Sequence, residues 1–245
     1  MKLIKKFKSP NFNPRKSKKI LFIIIHYTAL KNYKYAISHL CNPKKKVSSH
    51  FLITQSGNIF KLVDEKKRAW HAGLSYWNKF KDINSLSIGI ELDYSFNKEN
   101  NTFSENMINS LTLLLKKLKK KYNIKNHNIL GHSDISPFRK IDPGINFPWQ
   151  KIDDTHLYFK SDKNLKKIKL WFKKNNIKSS QEIALFILSF IGYDTIKVKQ
   201  NNRLLRKLIF AYQSHYLQSN CNGKLDSKTL DFLIYHLYNN LLTIY

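Results

Sequence analysis

The sequence predicts an α/β fold, in which a central mixed β-sheet is flanked by helices and followed by a small three-helix domain. Residues 20–26 form a continuous apolar run rich in isoleucine, which is typical of a strand buried on both faces. Strand patterns then alternate with amphipathic helical patterns up to about residue 152, as expected for helices packed on a sheet. Beyond residue 179 only helical patterns follow, which indicates a separate helical module.

The first part of the chain contains short elements joined by loops. Residues 1–19 are basic and aperiodic, and they predict an extended arm or a mobile terminus. Residues 32–41 suggest a short helix that ends before Pro43. Residues 50–54 and 59–63 flank a Gly-Asn turn, so we expect them to pair as a β-hairpin.

A long loop follows the predicted hairpin. Residues 64–85 are polar and aromatic, and loops of this length are uncommon unless they are functional. Residues 87–92 then predict another strand, with Glu91 at its end. Residues 128–131 predict a short strand that delivers His132.

Between these two strands lies the strongest helical pattern of the chain. Ser104 is a suitable N-cap for a helix that runs to about residue 122. Six apolar residues recur at the i, i+3, i+4 spacing of a helix lying on a sheet: Met107, Ile108, Leu111, Leu114, Leu115 and Leu118. The lysines of residues 116–121 fall in the last turns, where positive charge suits the helix dipole.

The last third of the chain predicts three helices, over about 180–191, 202–217 and 226–242. We therefore divide the chain into a basic N-terminal arm (1–19), a main domain (20–152), a polar connector (153–178) and a helical domain (179–245). On this division, a chain that ends near residue 176 is expected to fold by itself.

Composition limits the classes of protein that this chain can belong to. Its 245 residues are 42% hydrophobic, enough for a normal core and inconsistent with wholesale disorder. The apolar run at residues 20–25 is too short to span a bilayer, so no transmembrane segment is expected. The same run leads directly into His26, which a signal-peptide cleavage there would remove. With no recognisable export signal, the sequence predicts a cytoplasmic protein. Cys41 and Cys221 are expected to be reduced.

The net charge of +28 raises the question of nucleic-acid binding. Five of the 44 basic residues are arginine, so lysine, which lacks the bidentate fork that reads bases and phosphates, accounts for the other 39. The lysines are also spread along the chain. We therefore expect no specific nucleic-acid binding, although a basic surface would still attract an anionic polymer.

Three residues far apart in sequence form a plausible metal-ligand set. His26 and His132 each follow a predicted strand, and Asp142 lies ten residues after His132. Two histidines and one carboxylate are the ligand set of a catalytic zinc that keeps its fourth position for water. Glu91, at a strand end, is placed as a separate general base would be. His71 is the main rival third ligand by chemistry alone.

Six segments together closely resemble the zinc-dependent N-acetylmuramoyl-L-alanine amidases of the amidase-2 type, which cleave peptidoglycan. In chain order they read I-I-I-H-Y-T-A, V-S-S-H-F-L-I, A-W-H-A-G, S-I-G-I-E-L, G-H-S-D and R-K-I-D-P-G. The resemblance implies a peptidoglycan-recognition-like fold, one zinc ion per chain, and peptidoglycan or muropeptides as the substrate. Residues 179–245 resemble the small peptidoglycan-binding-like domain of a periplasmic branch of this family. A periplasmic or envelope location is therefore the alternative to the cytoplasm.

The resemblance also implies roles for individual residues. The predicted zinc ligands are His26, His132 and Asp142, with Glu91 as the general base. Lys140 matches the lysine thought to stabilise the oxyanion. The predicted substrate contacts are Trp70, His71, Ala72, Gly73 and Arg139, of which Arg139 would bind a peptide carboxylate.

Two alternatives to the amidase stay open at this point. A non-catalytic peptidoglycan-recognition protein would share the fold after losing ligands, but the complete set of ligands, base and lysine favours the enzyme. A basic nucleic-acid binder would need no metal and would bind DNA or RNA in a salt-sensitive way. We expect the protein to be a monomer.

Overall fold

A computed structural model describes residues 3–95, 102–152, 164–198 and 201–242. Eight strands occur in this part of the chain: β1 (Leu3–Ile4), β2 (Phe12–Pro14), β3 (Phe22–Tyr27), β4 (Phe51–Ile53), β5 (Ile59–Lys61), β6 (Lys67–Ala69), β7 (Ser87–Leu92) and β8 (Ile129–Gly131). The described helices are α1 (Tyr33–Leu40), α2 (Ile83–Leu86), α3 (Glu105–Tyr122), α4 (His132–Ile135), α5 (Trp149–Ile152), α6 (Asn164–Lys174), α7 (Ser180–Ile191), α8 (Asn202–Tyr216) and α9 (Ser227–Leu242). None of them combines the length and apolar character that a bilayer crossing requires.

The main sheet is mixed, as the sequence predicts. Its six strands lie in the order β1-β5-β4-β7-β3-β8, and β2 and β6 form a separate antiparallel pair. β3 pairs in parallel with both β7 and β8, and β4 pairs in parallel with β7 and antiparallel with β5 as the predicted hairpin. The isoleucine-rich strand β3 is thus an inner strand, which explains its continuous apolar sequence.

Strand register brings the polar ends of these strands together. His26 of β3 lies opposite Glu91 of β7, and Ile25 lies opposite Gly131 of β8, immediately before His132. Because these strands are parallel, their carboxyl ends meet at one edge of the sheet. His26 and Glu91 also point to the same face, since directly paired residues share a face.

The two faces of β3 are covered by different parts of the chain. Ile23 and Ile25 pack in one cluster with α3, whose six predicted apolar residues are all buried there. Phe22 and Ile24 point the other way, into a cluster shared with the helices from α6 to α9. Ser104 caps α3 as predicted, because its hydroxyl accepts a hydrogen bond from the Met107 backbone N–H.

The N-terminal arm is extended and packed. β1 adds to the main sheet beside β5, and β2 pairs with β6. Arg15 is largely buried, and its guanidinium donates hydrogen bonds to four backbone carbonyls, those of Glu65, Asn84, Ser85 and Ser87. The loop predicted over 64–85 contains β6 and α2, which this arm helps to hold.

The segment predicted as a polar connector contains a helix. α6 follows residues 153–163, which lie outside the described part of the chain, and its Leu165 and Phe172 are buried in the same cluster as α7 and α9. The predicted helices 180–191, 202–217 and 226–242 are present as α7, α8 and α9 within a residue or so of the expected bounds. The domain boundaries themselves stay a prediction.

A shared core changes what we expect of a shortened chain. Ile24, Leu130 and Ile135 of the main domain pack in one cluster with Ile187 and Leu208 of the C-terminal helices. A chain ending at residue 176 would expose this apolar face of the sheet, so we expect it to be insoluble or to lack cooperative unfolding. Expression followed by urea denaturation tests this. A truncated chain that unfolds cooperatively with near-normal stability would show that the helices are an independent adjunct.

Candidate active site

Three side chains converge at the carboxyl ends of β3 and β8. His26 Nδ1 lies 3.0 Å from His132 Nδ1 and 3.0 Å from Asp142 Oδ2, and His132 Nδ1 lies 3.1 Å from the same oxygen. All three residues are buried. Among the described residues they form the one group of three that is placed to hold a metal ion. The structure therefore brings together the three ligands that the sequence predicts.

Hydrogen bonds behind the histidines decide which ring nitrogens face the cluster. His132 Nε2 lies 3.1 Å from the Ala72 carbonyl, which can only accept, so this nitrogen carries the proton. The Ser87 hydroxyl donates to the Ile83 carbonyl at 2.6 Å, which leaves its oxygen to accept from His71 Nε2–H at 3.3 Å. His71 Nδ1 then accepts from His26 Nε2–H at 3.0 Å.

The Nδ1 atoms of His26 and His132 therefore carry no proton, and their lone pairs face the Asp142 carboxylate. Three converging lone pairs repel one another unless a cation lies among them. A tetrahedral zinc ion, with bonds of about 2.0–2.2 Å, would separate its ligand atoms by roughly 3.3–3.6 Å, a few tenths of an ångström more than the 3.0–3.1 Å observed. The donor set and its hydrogen-bonded support therefore fit the predicted metal.

Charge within the cluster acts on the carboxylate of Asp142. In the metal-free site burial raises the pKa of Asp142, but positive charge and hydrogen bonds supplied by His132 and His26 outweigh burial and hold this pKa well below its ordinary value. A bound cation would supply that positive charge instead, with both Nδ1 atoms as its ligands. The carboxyl group is thus ionised at neutral pH, as a metal ligand must be.

His71 does not join the three ligands but supports one of them. Its ring is buried, and burial together with the adjacent His26 keeps the pKa of His71 well below its ordinary value, so the imidazole is neutral. His50 is buried next to it and accepts a hydrogen bond from the Gly89 backbone N–H at 3.0 Å. The rival hypothesis of His71 as third ligand therefore does not fit the geometry.

Gly89 makes room for the His71 ring, a role that sequence reasoning missed. A Cβ at this position would lie 2.4 Å from His71 Cγ, far inside contact distance. A lone glycine within the isoleucine-rich strand β7 was the available signal, because such a glycine often marks a close approach.

Gly89→Ala is therefore expected to displace His71 and to loosen His26. We expect Zn²⁺ affinity, measured by competition with a chromogenic chelator, to fall about 10- to 100-fold. Ser87→Ala removes the acceptor of His71 without adding atoms and serves as a milder comparison. Unchanged Zn²⁺ affinity in Gly89→Ala would contradict the supporting role of His71.

Glu91 lies on the same face as His26 but outside the cluster. Its Oε2 is buried and has no hydrogen-bond partner among the described residues. Burial is the main cause that raises the pKa of Glu91 to about 7, and nearby Asp142 raises it further while His26 and Lys140 lower it. A carboxylate with an unpartnered oxygen and a pKa near neutrality can take up and release a proton.

This raised pKa predicts a pH-dependent stability of the metal-free protein. The folded-state pKa of about 7 exceeds the ordinary 4.5, so the contribution of Glu91 to stability is present below pH 4.5 and is lost as the pH rises through 7. Glu91→Gln avoids that loss and should stabilise the protein at pH 8 by up to about 3 kcal/mol, with little effect at pH 4.5. Urea denaturation in the presence of a chelator at both pH values checks this. An effect of equal size at both would contradict it.

A cavity of about 410 Å³ opens in front of the cluster. It is lined by the three ligand residues and Glu91, and its other lining residues include Tyr27, His39, Arg139, Lys140 and Ile141. Lys140 is half-buried in its wall. The described structure thus places Lys140 in the same cavity as the cluster and Glu91.

The other predicted substrate contacts are arranged around this cavity in different ways. Arg139 Nη2 donates to the carbonyls of Ala72 at 3.0 Å and Leu74 at 3.1 Å, and so braces the loop that also supports His132. A Cβ on Gly73 would approach this guanidinium at 3.0 Å. Trp70 donates from Nε1 to the Asn13 side chain at 2.6 Å and is not among the described lining residues of the cavity. The binding roles of all these residues stay predictions.

Asp134 is a second residue that sequence reasoning left without a role. Its buried carboxylate accepts hydrogen bonds from the Gly131 N–H at 2.7 Å, from the Tyr193 hydroxyl at 2.5 Å and from His215 Nδ1 at 2.7 Å. Trp149 stacks on His215 with ring centroids 3.6 Å apart. This network links the C-terminal helices to the turn that carries His132.

Comparison with known proteins agrees with this geometry. The family model described as N-acetylmuramoyl-L-alanine amidase matches residues 16–145, a range that contains all three cluster residues and Glu91. The chain belongs to this amidase family. Among relatives of the amidase, AmiD of Escherichia coli is 32% identical over 224 residues, which cover 86% of this chain and 80% of AmiD. The anhydro-N-acetylmuramyl-L-alanine amidase AmpD of Haemophilus influenzae is 33% identical over 60% of this chain and 89% of its own length.

Solved structures extend the similarity of the amidase to the C-terminal helices. AmiD of Escherichia coli, in complex with the substrate anhydro-N-acetylmuramic acid-L-Ala-D-gamma-Glu-L-Lys, superposes with a TM-score of 0.74 at 29% identity, covering 96% of this chain and 93% of AmiD. AmpDh3 of Pseudomonas aeruginosa superposes with a TM-score of 0.76 at 27% identity, covering 98% of this chain and 99% of AmpDh3. The predicted fold class is thus confirmed over nearly the whole length.

Proposed function

We propose that this amidase is a zinc enzyme that hydrolyses the amide bond between N-acetylmuramic acid, or its 1,6-anhydro form, and L-alanine in muropeptides and peptidoglycan. The observation that carries the proposal is the convergence of two imidazoles and a carboxylate in a cavity that is also lined by Glu91, whose Oε2 is buried and unpartnered among the described residues. Membership of the family supports it, as do the muramyl-L-alanine bonds named for AmiD and AmpD.

The ion would be held by His26, His132 and Asp142, one per chain, since the described residues contain one such cluster. When bound, zinc lowers the pKa of water and polarises a carbonyl oxygen, which together make a stable amide open to attack. Zinc is favoured over magnesium and calcium because two of the three donors are imidazole nitrogens.

Proton transfer is assigned to Glu91. Its carboxylate accepts the proton of the attacking water and returns it to the nitrogen of the departing L-alanine. A pKa near 7 in the metal-free site suits both directions of transfer, and a bound dication would lower it, which favours the base form before attack.

The ammonium group of Lys140 is assigned to the negative charge that develops on the carbonyl oxygen. It lines the same cavity as Glu91 and the three ligands. Charged donors aimed at a developing oxyanion are worth a few kcal/mol in activation free energy. Lys140→Ala is therefore expected to keep the metal and to lower kcat by about 10²- to 10³-fold.

The reaction is tested with a defined muropeptide. Purified full-length protein is incubated with anhydro-N-acetylmuramic acid-L-Ala-D-γ-Glu-L-Lys, with and without a chelator, and the products are identified by mass spectrometry. We expect free peptide beginning with L-alanine, loss of release with chelator, and recovery when Zn²⁺ is added back. Binding of the muropeptide without any release would instead identify a recognition protein.

A further inference from the structure

A second cavity lies beside the catalytic one, between residues 137–141 and helix α8. It has a volume of about 370 Å³. Arg139, Lys140 and Ile141 line both cavities, so the two share a wall. A substrate that leaves the catalytic cavity across this wall would meet α8 next.

The charge of the second cavity is unusual even for so basic a chain. Five of its described lining residues are cationic, and none is Asp or Glu: Arg139, Lys140, Arg203, Arg206 and Lys207. Three of these five are arginine, whereas arginine makes up only five of the 44 basic residues in the sequence. A random sample of a lysine-rich surface does not account for this enrichment.

Elsewhere in the chain, arginine is placed where it binds oxygen. Arg15 donates to a group of buried carbonyls, and Arg68 pairs with the Asp82 carboxylate at 2.9 Å. The planar guanidinium binds a carboxylate through two parallel hydrogen bonds, which the lysine ammonium cannot do. The arginines of the second cavity therefore indicate an oxyanion ligand.

Contacts between the two walls hold this cavity in shape. Lys207 Nζ donates to the Phe138 carbonyl at 2.9 Å, which ties α8 to residues 137–141. Arg206 packs against Gly223, where a Cβ would lie only 2.9 Å from Arg206 Cγ. Phe138 and Phe210 add an apolar surface to the lining. The arginines are thus presented on a fixed scaffold.

We propose that Arg203 and Arg206 bind a carboxylate of the substrate's peptide, beyond the bond that is cleaved. This inference rests on the proposed function. The γ-linked glutamate of a muramyl peptide keeps a free α-carboxylate, and the terminal residue carries another. At about 3.3–3.6 Å per extended residue, a tripeptide reaches roughly 10 Å from the cleaved bond, enough to pass a shared wall.

The test compares two peptides that differ only in charge. L-Ala-D-γ-Glu-L-Lys and its form with both carboxylates converted to carboxamides are titrated into the full-length protein by calorimetry. Arg203→Gln/Arg206→Gln should weaken binding of the carboxylate peptide about fivefold to tenfold, a modest factor because both arginines are exposed. Binding of the carboxamide peptide should not change.

A matched variant controls for net charge. Lys173→Gln/Lys174→Gln removes two positive charges from the exposed end of α6, as many as the arginine variant loses, and should leave the affinity for both peptides unchanged. Arg203→Lys/Arg206→Lys should recover part of the lost affinity. In turnover assays the glutamine variant should raise KM for the carboxylate muropeptide and leave kcat unchanged.

The outcomes separate this inference from the proposed function. If Arg203→Gln/Arg206→Gln weakens the binding of both peptides equally, or of neither, the cavity does not bind carboxylates. If the variant lowers affinity for duplex DNA but not for the peptide, the arginines bind phosphates and the inference is overturned. If the unmodified protein cleaves no muropeptide, yet the arginines still discriminate the two peptides, the cavity assignment stands and the amidase assignment fails.

Discussion

His132→Ala is expected to lose both the bound zinc and the amidase activity. His132 supplies one of three ligand atoms that lie 3.0–3.1 Å apart, and its removal leaves only two ligands. Two ligands hold zinc poorly, and without the ion the water is not activated, so we expect turnover to fall by about 10³-fold or more. His26→Ala and Asp142→Ala should behave in the same way. Elemental analysis of the purified protein, together with peptide release, measures both effects.

His127→Ala provides the matched control. His127 is exposed, lies just before β8 and is not part of the cluster, so its loss should change neither zinc content nor rate. One zinc per chain in the purified His132→Ala protein would show that the ligand set has been assigned wrongly.

Glu91→Gln is expected to separate metal binding from catalysis. The glutamate lies across from His26 but is not one of the three converging atoms, so zinc content should be unchanged. Glutamine has nearly the same shape but cannot accept a proton, and loss of a general base typically lowers kcat by about 10²- to 10⁴-fold. The measurement is kcat and zinc content on the same preparation.

The pH profile gives a second reading of the same substitution. If Glu91 is the base, the rate of the unmodified enzyme should rise with pH as this carboxyl group ionises. The residual rate of Glu91→Gln should not show this increase. Near-normal turnover in Glu91→Gln would place the base elsewhere in the cavity.

Local pattern was sufficient for most elements of the fold. Strand β3 was predicted because a run of isoleucines indicates a strand that is buried on both faces. Helix α3 was predicted because apolar residues at i, i+3 and i+4 indicate a helix that is buried on one face. The three C-terminal helices followed from the same periodicity. The converging ligands His26, His132 and Asp142 were found by combining residue chemistry with motif resemblance.

Periodicity states that a face is apolar but not what covers it. For that reason the sequence suggested a separable helical domain, whereas in the structure residues of α7 and α8 belong to the same apolar cluster as Ile24 of β3. The same limit hid the contact between Asp134 and His215, which are 81 residues apart. Such contacts depend on how the layers pack.

The sequence by itself determined five of the strands, the long helix and the residue types of the candidate site. Only the tertiary structure decided how those residues are supported: His71 behind His26, Gly89 beneath the His71 ring, and the arginines of α8 beside the catalytic cavity. The physical reason is that a residue's chemistry and a segment's periodicity are local properties. Which nitrogen of an imidazole faces a metal depends instead on hydrogen bonds and close packing between distant parts of the chain.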